Sequence, residues 1–191
     1  MEETRIRMAV AEDAADMLRI YAPYVEQTAI TFEYETPSIA QFRERIAARL
    51  DTGYPWLAAL RRGHIAGYAY AGPFVGRAAY SWSAELSIYV DRSLRRSGIG
   101  GRLYRELEAR LRQMGILNLY ACIAWPRTED EYLTRDSVHF HRHLGFELVG
   151  TFAQCGYKFG RWYDMVWMEK IIGEHATPAI PVKPCPPDVS Q

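Results

Sequence analysis

Apolar residues recur along this chain with two different spacings, and each spacing predicts a type of element. Apolar positions three or four residues apart predict helices at 14–25, between Thr36-Pro37 and Gly53, at 98–114 and, over a shorter length, at 137–144. Alternating or continuous apolar runs that end at turn residues predict strands. We expect these strands at 4–10, 56–61, 64–71, 84–90, 116–123, 146–153 and 162–170.

These elements predict a single domain over residues 1–171, with the order β-α-α-β-β-β-α-β-α-β-β. A chain of 191 residues is long enough to bury one sizeable core. After Ile171 the sequence becomes rich in proline and loses its periodicity. We therefore expect residues 172–191 to form a disordered tail.

Composition narrows the class of partner. The chain has 23 basic and 23 acidic residues, so no net charge attracts it to nucleic acid. It has no run of eighteen apolar residues, and we do not expect its polar residues 1–5 to act as a signal peptide. Cys122, Cys155 and Cys185 are too few and too widely spaced for a disulfide framework. We expect a cytoplasmic protein without a nucleic-acid or membrane partner.

A basic, glycine-rich turn joins the fourth predicted strand to the third predicted helix. Arg95 and Arg96 supply two positive charges, and Gly98, Gly100 and Gly101 allow a ligand to approach the backbone closely. Free N–H groups at a helix start favour an anion, so the turn predicts a site for a di- or triphosphate group. The turn lacks the lysine and Ser/Thr of a P-loop, and it does not match the dinucleotide pattern G-x-G-x-x-G.

The run Arg95-Arg96-Ser97-Gly98-Ile99-Gly100 resembles the R/Q-x-x-G-x-G/A loop of the GNAT N-acetyltransferases. This resemblance implies that residues 95–101 hold the pyrophosphate of acetyl-coenzyme A (acetyl-CoA), and that Ile88, Tyr89 and Val90 pair with its pantetheine arm. It also implies a mixed α/β fold with a splayed, mostly antiparallel sheet and helices on both faces. The alternative is a helix start whose glycines only turn the backbone.

Further segments resemble the phosphinothricin N-acetyltransferase branch of that superfamily, and they follow in the same order from residue 4 to residue 170. Residues 71–90 resemble AGPW-x-x-R-x-x-Y-x-W-x-x-E-x-x-V/I-Y-V, residues 30–37 resemble N-F-x-x-x-x-x-T-P, residues 137–146 resemble S-V-x-x-H-x-x-L-G-Y/F, and residues 156–164 resemble G-F/Y-K-x-G-x-W-x-D. The resemblance implies an enzyme that acts on a small amine, and we expect a homodimer.

The chain departs from this branch in two places. Glu33 and Val75 stand where the branch carries basic residues, which affects the expected substrate. The connection from Trp125 to Ser137 is longer than the branch's Pro-Asn-x-x-Ser segment, with Thr134 in the place of the asparagine. The resemblance implies that Thr134 contacts the coenzyme.

Acetyl transfer to an amine requires a base, because an α-amino group has a pKa of about 7.7–8.0 and is mostly protonated at neutral pH. The resemblance makes Glu85 that base, acting directly or through water; the alternative is a solvated glutamate on a strand. It also implies that a backbone N–H near Ser87-Ile88 stabilises the oxyanion.

His141 occupies the position where many GNAT enzymes place a tyrosine that protonates the departing thiolate. A histidine suits this role when its pKa lies near the operating pH, and a packed core histidine is the alternative. A metal site formed by His139, His141 and His143 is excluded, because residues two apart on a helix point to nearly opposite faces. We therefore predict no metal.

The acceptor site is expected in the loop after the third strand. The resemblance implies that Arg77 and Tyr80 bind the acid group of an amino-acid substrate, since a guanidinium donates two parallel hydrogen bonds to a carboxylate. Phe32, Trp82 and Lys158 are candidates for the pocket walls, although such aromatic residues serve equally well as core.

Together these features predict an N-acetyltransferase that transfers acetyl from acetyl-CoA to a small amino-acid-like amine, of the phosphinothricin or methionine sulfoximine type, by direct attack in a ternary complex. One alternative is an acetyltransferase of another small amine. The other is a non-catalytic module that binds acyl-CoA on the same fold, because a fold does not fix a function.

Overall fold

Seven strands form one sheet in the computed structural model, which describes residues 4–188. The strands are β1 (Arg5–Met8), β2 (Trp56–Arg61), β3 (His64–Pro73), β4 (Ser83–Val90), β5 (Asn118–Trp125), β6 (Glu147–Lys158) and β7 (Arg161–Ile171). The helices are α1 (Ala14–Gln27), α2 (Ile39–Asp51), α3 (Ile99–Met114) and α4 (Asp136–His143). This order of elements along the chain is the predicted one.

The strand order in the sheet is β1-β2-β3-β4-β5-β7-β6. Every neighbouring pair is antiparallel except β4 and β5, which are parallel. The last strand, β7, lies between β5 and β6, so β6 forms an edge of the sheet. The predicted mixed α/β fold with a mostly antiparallel sheet is confirmed.

Alternation along the strands divides the apolar side chains between two cores, one on each face of the sheet. On β2, Leu57 and Ala59 belong to the core under α3, whereas Trp56 and Ala58 belong to the core under α1 and α2. The stripe predicted for the third helix fills the first core, and its members are buried: Ile99, Leu103, Leu107, Leu111 and Met114. Helices therefore cover both faces of the sheet.

The helix ends follow local sequence signals. Gly98 and Gly115 have φ values of 82° and 89° at the two ends of α3, a backbone region that glycine adopts without strain. At α2 the predicted cap is wrong: Ser38, not Thr36, accepts from the Gln41 N–H at 3.2 Å, and the Gln41 side chain accepts from the Ser38 N–H at 2.8 Å. This reciprocal pair is a capping box.

The central parallel pair separates after a short contact. Ser83, Ala84 and Glu85 of β4 pair with Asn118, Leu119 and Tyr120 of β5, and the pairing stops there. Both strands continue, β4 to Val90 and β5 to Trp125, so a gap opens between them. The predicted splay of the sheet is this gap.

Residues 172–188, which belong to the segment predicted to form a disordered tail, lie along the domain without forming a helix or strand. Hydrogen bonds fix this segment along the domain: Trp82 Nε1 to Ile180 O (2.7 Å), Lys183 N to Met114 O (2.8 Å), Cys185 N to Gly53 O (2.8 Å) and Arg110 Nη2 to Asp188 Oδ1 (2.6 Å). Val182 and Cys185 also pack against the core under α3. Residues 1–3 and 189–191 lie outside the described residues.

Candidate active site

The separation of β4 and β5 creates a cavity within the sheet. Leu86–Tyr89 and Ala121–Ala124 form its two walls, while Tyr104 of α3 and His141 of α4 contribute to its lining. Because pairing with β5 ends at Glu85, the backbone groups of Leu86–Tyr89 that face β5 have no strand partner. An extended ligand with amide groups can hydrogen-bond to this edge.

The start of α3 follows the end of β4 after a short turn. The hydrogen-bond ladder of α3 begins with the Arg102 N–H and Gly98 O, 3.2 Å apart, so the N–H groups of Ile99, Gly100 and Gly101 have no helical acceptor. Among the residues that the structure describes, no side chain caps this end of α3. Free N–H groups and the positive end of the helix dipole suit a phosphate group here.

The turn before α3 presents two arginines. Arg95 and Arg96 are exposed, and within residues 4–188 neither guanidinium has a hydrogen-bond or ion-pair partner. The Ser97 hydroxyl donates to the Leu94 carbonyl at 2.6 Å, which closes the turn. Thr134, the other predicted coenzyme contact, is exposed in the connection between β5 and α4.

Two of the glycines in this turn have different surroundings. A Cβ atom at Gly98 would meet no atom within 4 Å, so this position is open. A Cβ atom at Gly100 would lie 3.2 Å from the Phe140 ring and 3.6 Å from Ile88 Cδ1. The missing side chain of Gly100 therefore allows α3 to pack closely against α4 and β4, a role that the sequence pattern did not reveal.

Glu85 lies at the last paired position, where β4 and β5 separate. Its register partners are Gly72 on β3 and Tyr120 on β5. Burial raises the pKa of the Glu85 carboxyl, and the positive charge of Arg49 opposes this shift only in part. A half-buried carboxyl group with a raised pKa is suited to accept a proton from a substrate at this position.

His141 is 3% exposed, and both its ring nitrogens are hydrogen-bonded. Nδ1 donates to the Ser137 carbonyl at 2.7 Å, so Nε2 accepts from the Tyr104 hydroxyl at 2.8 Å. Burial lowers the pKa of the imidazole to about 4, and the bond to Ser137 offsets this only in part. The ring is therefore neutral at pH 7, whereas the catalytic role predicted for His141 requires a pKa near the operating pH.

Lys158 and Phe32 connect β6 to the segment that follows α1. Lys158 is 2% exposed, and its ammonium donates to the carbonyls of Val25 at 2.7 Å and Thr31 at 2.8 Å. Phe32 packs against Gly156, where it occupies the space of a side chain. The Lys158 ammonium is thus bonded within the protein rather than directed at a substrate.

The loop between β3 and β4 carries the other residues predicted to bind the acceptor. Arg77 is exposed, and Tyr80 is 43% exposed with its ring nearly perpendicular to that of Phe74. Trp82 donates its indole N–H to Ile180 of the C-terminal segment. Arg77 and Tyr80 are therefore open to a ligand, whereas the Trp82 indole N–H is already bonded.

Across residues 4–188, no cluster of three or more His, Cys, Asp or Glu side chains could hold a metal ion. His139 and His143 lie on the exposed side of α4, whereas His141 is buried. Within the same range, no helix has the length and apolar character needed to cross a membrane.

The family model for the GNAT acetyltransferase domain matches residues 6–167. The chain belongs to the GNAT acetyltransferase family. It is therefore an acetyltransferase, and members of the family use acetyl-CoA as the acetyl donor. A putative acetyltransferase of Salmonella typhimurium, solved with its cofactor acetyl-CoA, superposes with a TM-score of 0.83 at 29% identity, over 91% of this chain and 96% of that one.

Other relatives in the family have named substrates. The chain is 34% identical to a phosphinothricin N-acetyltransferase of Streptomyces viridochromogenes, over 94% of this chain and 93% of that protein. A phosphinothricin acetyltransferase of Sinorhizobium meliloti in complex with acetyl-CoA is 35% identical, with a TM-score of 0.83, over 97% of this chain and 96% of that one. An L-methionine sulfoximine/L-methionine sulfone acetyltransferase of Salmonella typhimurium is 31% identical, over 91% and 97%.

Three residues at the site were missed by the sequence reasoning. Tyr104 falls on the apolar stripe of α3, where a tyrosine looks like core. Arg49 lies in α2, far along the chain from the strand that it approaches. Cys122 lines the cavity, and burial together with the charges of Glu85 and Cys155 raises the pKa of its thiol to about 11. Only a motif of this family that included these positions could have identified them.

Proposed function

We propose that this protein transfers the acetyl group of acetyl-CoA to the amino group of a small amino-acid-like substrate while both substrates are bound. The observation that carries this proposal is the cavity between β4 and β5, with Glu85 where the strands separate and the start of α3 beyond the end of β4. The phosphinothricin and methionine sulfoximine acetyltransferases among its relatives support this class of acceptor.

Three regions of the chain would bind the donor. The edge of β4 from Ile88 to Val90, where the Val90 carbonyl already accepts from the Tyr24 hydroxyl at 2.6 Å, would hydrogen-bond to the pantetheine amides through its remaining groups. The free N–H groups at Ile99–Gly101 would bind the pyrophosphate, with Arg95 and Arg96 adding charge. Thr134 would contact the coenzyme from the connection before α4. These are the residues that the sequence pattern selected, and their geometry fits an elongated, phosphate-bearing ligand.

Glu85 would supply the base. The amine nitrogen, once deprotonated, forms a bond to the thioester carbonyl carbon, the carbon–sulfur bond breaks, and coenzyme A leaves as the thiolate, which then takes up a proton. The amine proton passes to Glu85, directly or through water, because burial keeps the pKa of this carboxyl above its ordinary value. A backbone N–H near Ser87-Ile88 would stabilise the oxyanion.

His141 has a positioning role in this proposal. Its Nδ1 proton is bonded to the Ser137 carbonyl, and its Nε2 accepts the Tyr104 hydroxyl proton, so the neutral ring fixes Tyr104 beside the cavity. A ring with a pKa of about 4 carries no extra proton at pH 7 to give to a thiolate. The proton that neutralises the thiolate would then come from the solvent or from the amine.

A direct attack, without an acetylated enzyme, fits the state of Cys122. This thiol lines the cavity, but its pKa of about 11 leaves it almost entirely protonated at neutral pH, and a protonated thiol is a poor nucleophile. The acceptor would enter beside the loop of Arg77 and Tyr80, which are exposed to a ligand.

Initial-rate kinetics test the order of events. Thiol release is measured while acetyl-CoA and L-methionine sulfone are varied together. Intersecting double-reciprocal lines are expected, because both substrates must be bound before the bond forms. Parallel lines would indicate an acetyl-enzyme intermediate and would contradict direct attack.

A further inference from the structure

Arg49 reaches from α2 to the point where β4 and β5 separate. Its guanidinium lies against Gly72 of β3, where it fills the space that a side chain would occupy, because a Cβ atom at Gly72 would overlap with Nη1 of Arg49. Gly72 is the register partner of Glu85 on the neighbouring strand. The absence of a side chain at Gly72 thus leaves the space in which the Arg49 guanidinium lies beside the proposed base.

One further contact and one electrostatic effect accompany this position of Arg49. The guanidinium carbon of Arg49 lies 5.8 Å from the centre of the Tyr70 ring, which precedes Gly72 by two residues on the same strand. The positive charge of Arg49 also lowers the pKa of Glu85 against the effect of burial. The two groups interact through space, but they form no ion pair within the described residues.

Within residues 4–188, the donors of the Arg49 guanidinium have no acceptor. In the described part of the chain, its half-buried guanidinium makes neither a hydrogen bond nor an ion pair. Arg45, one turn earlier on α2, shows the contrast: it donates to both carboxylate oxygens of Glu33, at 2.7 and 3.3 Å. The charge of Arg45 is therefore neutralised, whereas that of Arg49 is available to an anion.

The chemistry of an α-amino acid matches this pair of groups. Its amine and its carboxylate are attached to the same carbon, so a site that places the amine at Glu85 needs its carboxylate receptor close by. Arg49 meets this requirement because it stands over the register partner of Glu85. Arg77 lies on the exposed loop beyond β3 and suits a more distant group of the substrate.

We propose that Arg49 binds the α-carboxylate of the acceptor and thereby selects α-amino acids over amines that lack an adjacent acid group. This inference rests on the proposed function. It assigns the contact with the substrate carboxylate to Arg49 of α2. Arg77 and Tyr80 would then contact the side chain of the substrate. Gly72 then has a functional reason to be glycine, since a side chain there would displace the guanidinium.

The test compares L-methionine sulfone with its α-amide, in which a neutral carboxamide replaces the carboxylate and the adjacent amine is less basic, so binding and KM are compared at a pH where both amines are protonated. Binding of each probe is measured by calorimetry with coenzyme A present, and KM and kcat are measured by thiol release. For the unmodified protein we expect at least tenfold tighter binding of the acid. Arg49→Gln should raise the KM for the acid at least tenfold and change the KM for the amide less than threefold.

Two further variants separate this role from a structural one. Gly72→Ala keeps the charge of Arg49 but displaces its guanidinium. This variant should therefore show the same selective increase in KM for the acid. Arg43→Gln removes an exposed arginine from the same helix and should leave the KM unchanged for both probes. An equal loss for both probes in Arg49→Gln, with a shifted pH profile, would mean that Arg49 acts only through Glu85 and would overturn the proposal.

Failure of the proposed function would look different. If the unmodified protein binds the acid better than the amide but releases no thiol, then the carboxylate site stands and the acetyl-transfer proposal fails. If it binds the amide as well as the acid, or binds neither, the assignment of Arg49 is overturned whatever the activity.

Discussion

At the scale of single residues, loss of the Glu85 carboxylate should have the largest effect on catalysis. Glu85→Gln should lower kcat by about 10²–10⁴-fold, the range of general acid–base catalysis, with acetyl-CoA affinity unchanged. The loss should shrink as the pH rises toward the pKa of the amine, because free amine then replaces the base. Steady-state rates between pH 6 and 9.5 check this expectation.

The matched control for Glu85 is Glu169→Gln. Glu169 pairs with Tyr120 on the opposite side of β5, away from the gap, so its loss should change kcat little. A loss in Glu85→Gln that does not depend on pH would contradict a role as base and would indicate that this carboxylate only orients the substrate.

His141 should make the stability of the fold depend on pH. Its pKa is about 4 when folded and near 6.5 when unfolded, so the unfolded chain binds more protons between these values. Stability should therefore fall as the pH drops from 6.5 toward 4, by roughly 1.4 kcal/mol per pH unit within this window. Below the folded pKa this contribution is lost in full and changes no further.

Denaturant unfolding of the protein and of His141→Gln, each at several pH values, isolates this contribution. Carboxylates such as Asp13 add a background at the acid end of this window: burial disfavours the charge of Asp13, but bonds from Arg7 and the Val10 N–H outweigh burial and hold its pKa below the usual value, so it titrates at a lower pH than His141. The difference in unfolding free energy between the two proteins at each pH removes this shared background. Identical pH dependence in both would show that His141 does not contribute.

His141 and Lys158 show why the site could be only partly predicted. A motif gives the position of His141 and Lys158 along the chain, but not their burial or their partners. The buried His141 ring is hydrogen-bonded to Tyr104 from another helix, and the Lys158 ammonium is bonded to carbonyls more than a hundred residues away in sequence. Such contacts exist only after the chain has folded.

At the scale of elements, the start of α3 is the region whose alteration should most affect coenzyme binding. Gly100→Val places a branched side chain against Phe140 and Ile88, which displaces α3 from β4 and from the cavity. Acetyl-CoA affinity should fall at least tenfold, which is about 1.4 kcal/mol. Calorimetry on the folded variant measures this.

Gly150→Val is the matched control for this change, since a side chain at Gly150 on β6 meets no atom within 4 Å. It should leave acetyl-CoA affinity as it is. An unaltered affinity in a correctly folded Gly100→Val variant, shown by its circular dichroism, would refute the assignment of this turn to the coenzyme.

Most elements could be predicted from periodicity because their apolar stripes are long. The stripe of α3 and the turn at Arg62-Gly63, with φ values of 52° and 79°, leave little choice of local structure. The placement of β7 between β5 and β6 could not be read from local pattern, because it depends on pairing between distant strands. The α2 cap was missed because a proline signal competed with Ser38.

At the scale of the whole molecule, the C-terminal segment should contribute to stability. Removal of residues 174–191 eliminates the bonds from Trp82 to Ile180, from Lys183 to Met114 and from Cys185 to Gly53. We expect the melting temperature to fall by about 2–4 °C, equivalent to about 1 kcal/mol for a chain of this size. Differential scanning calorimetry checks this, and an unchanged transition would show that the segment adds nothing.

Composition could not predict this packing. Prolines and the absence of a period are typical of disordered segments, yet a proline-rich segment can still hydrogen-bond through its remaining N–H and C=O groups. Here the bonds join it to turns and helix ends, such as Gly53 and Met114, that become neighbours only in the folded domain.

The central claim, acetyl transfer to an amino acid in the cavity between β4 and β5, has one direct measurement. The purified protein is mixed with acetyl-CoA and, in separate reactions, with L-amino acids, L-methionine sulfone, L-methionine sulfoximine, phosphinothricin and polyamines. Free thiol and N-acetylated product are quantified together by absorbance and mass spectrometry. We predict equal amounts of thiol and N-acetyl amino acid for at least one α-amino acid, and a rate at least a hundredfold lower in Glu85→Gln. Thiol release that no amine accelerates, or product formation that survives in Glu85→Gln at the full rate, would contradict the account.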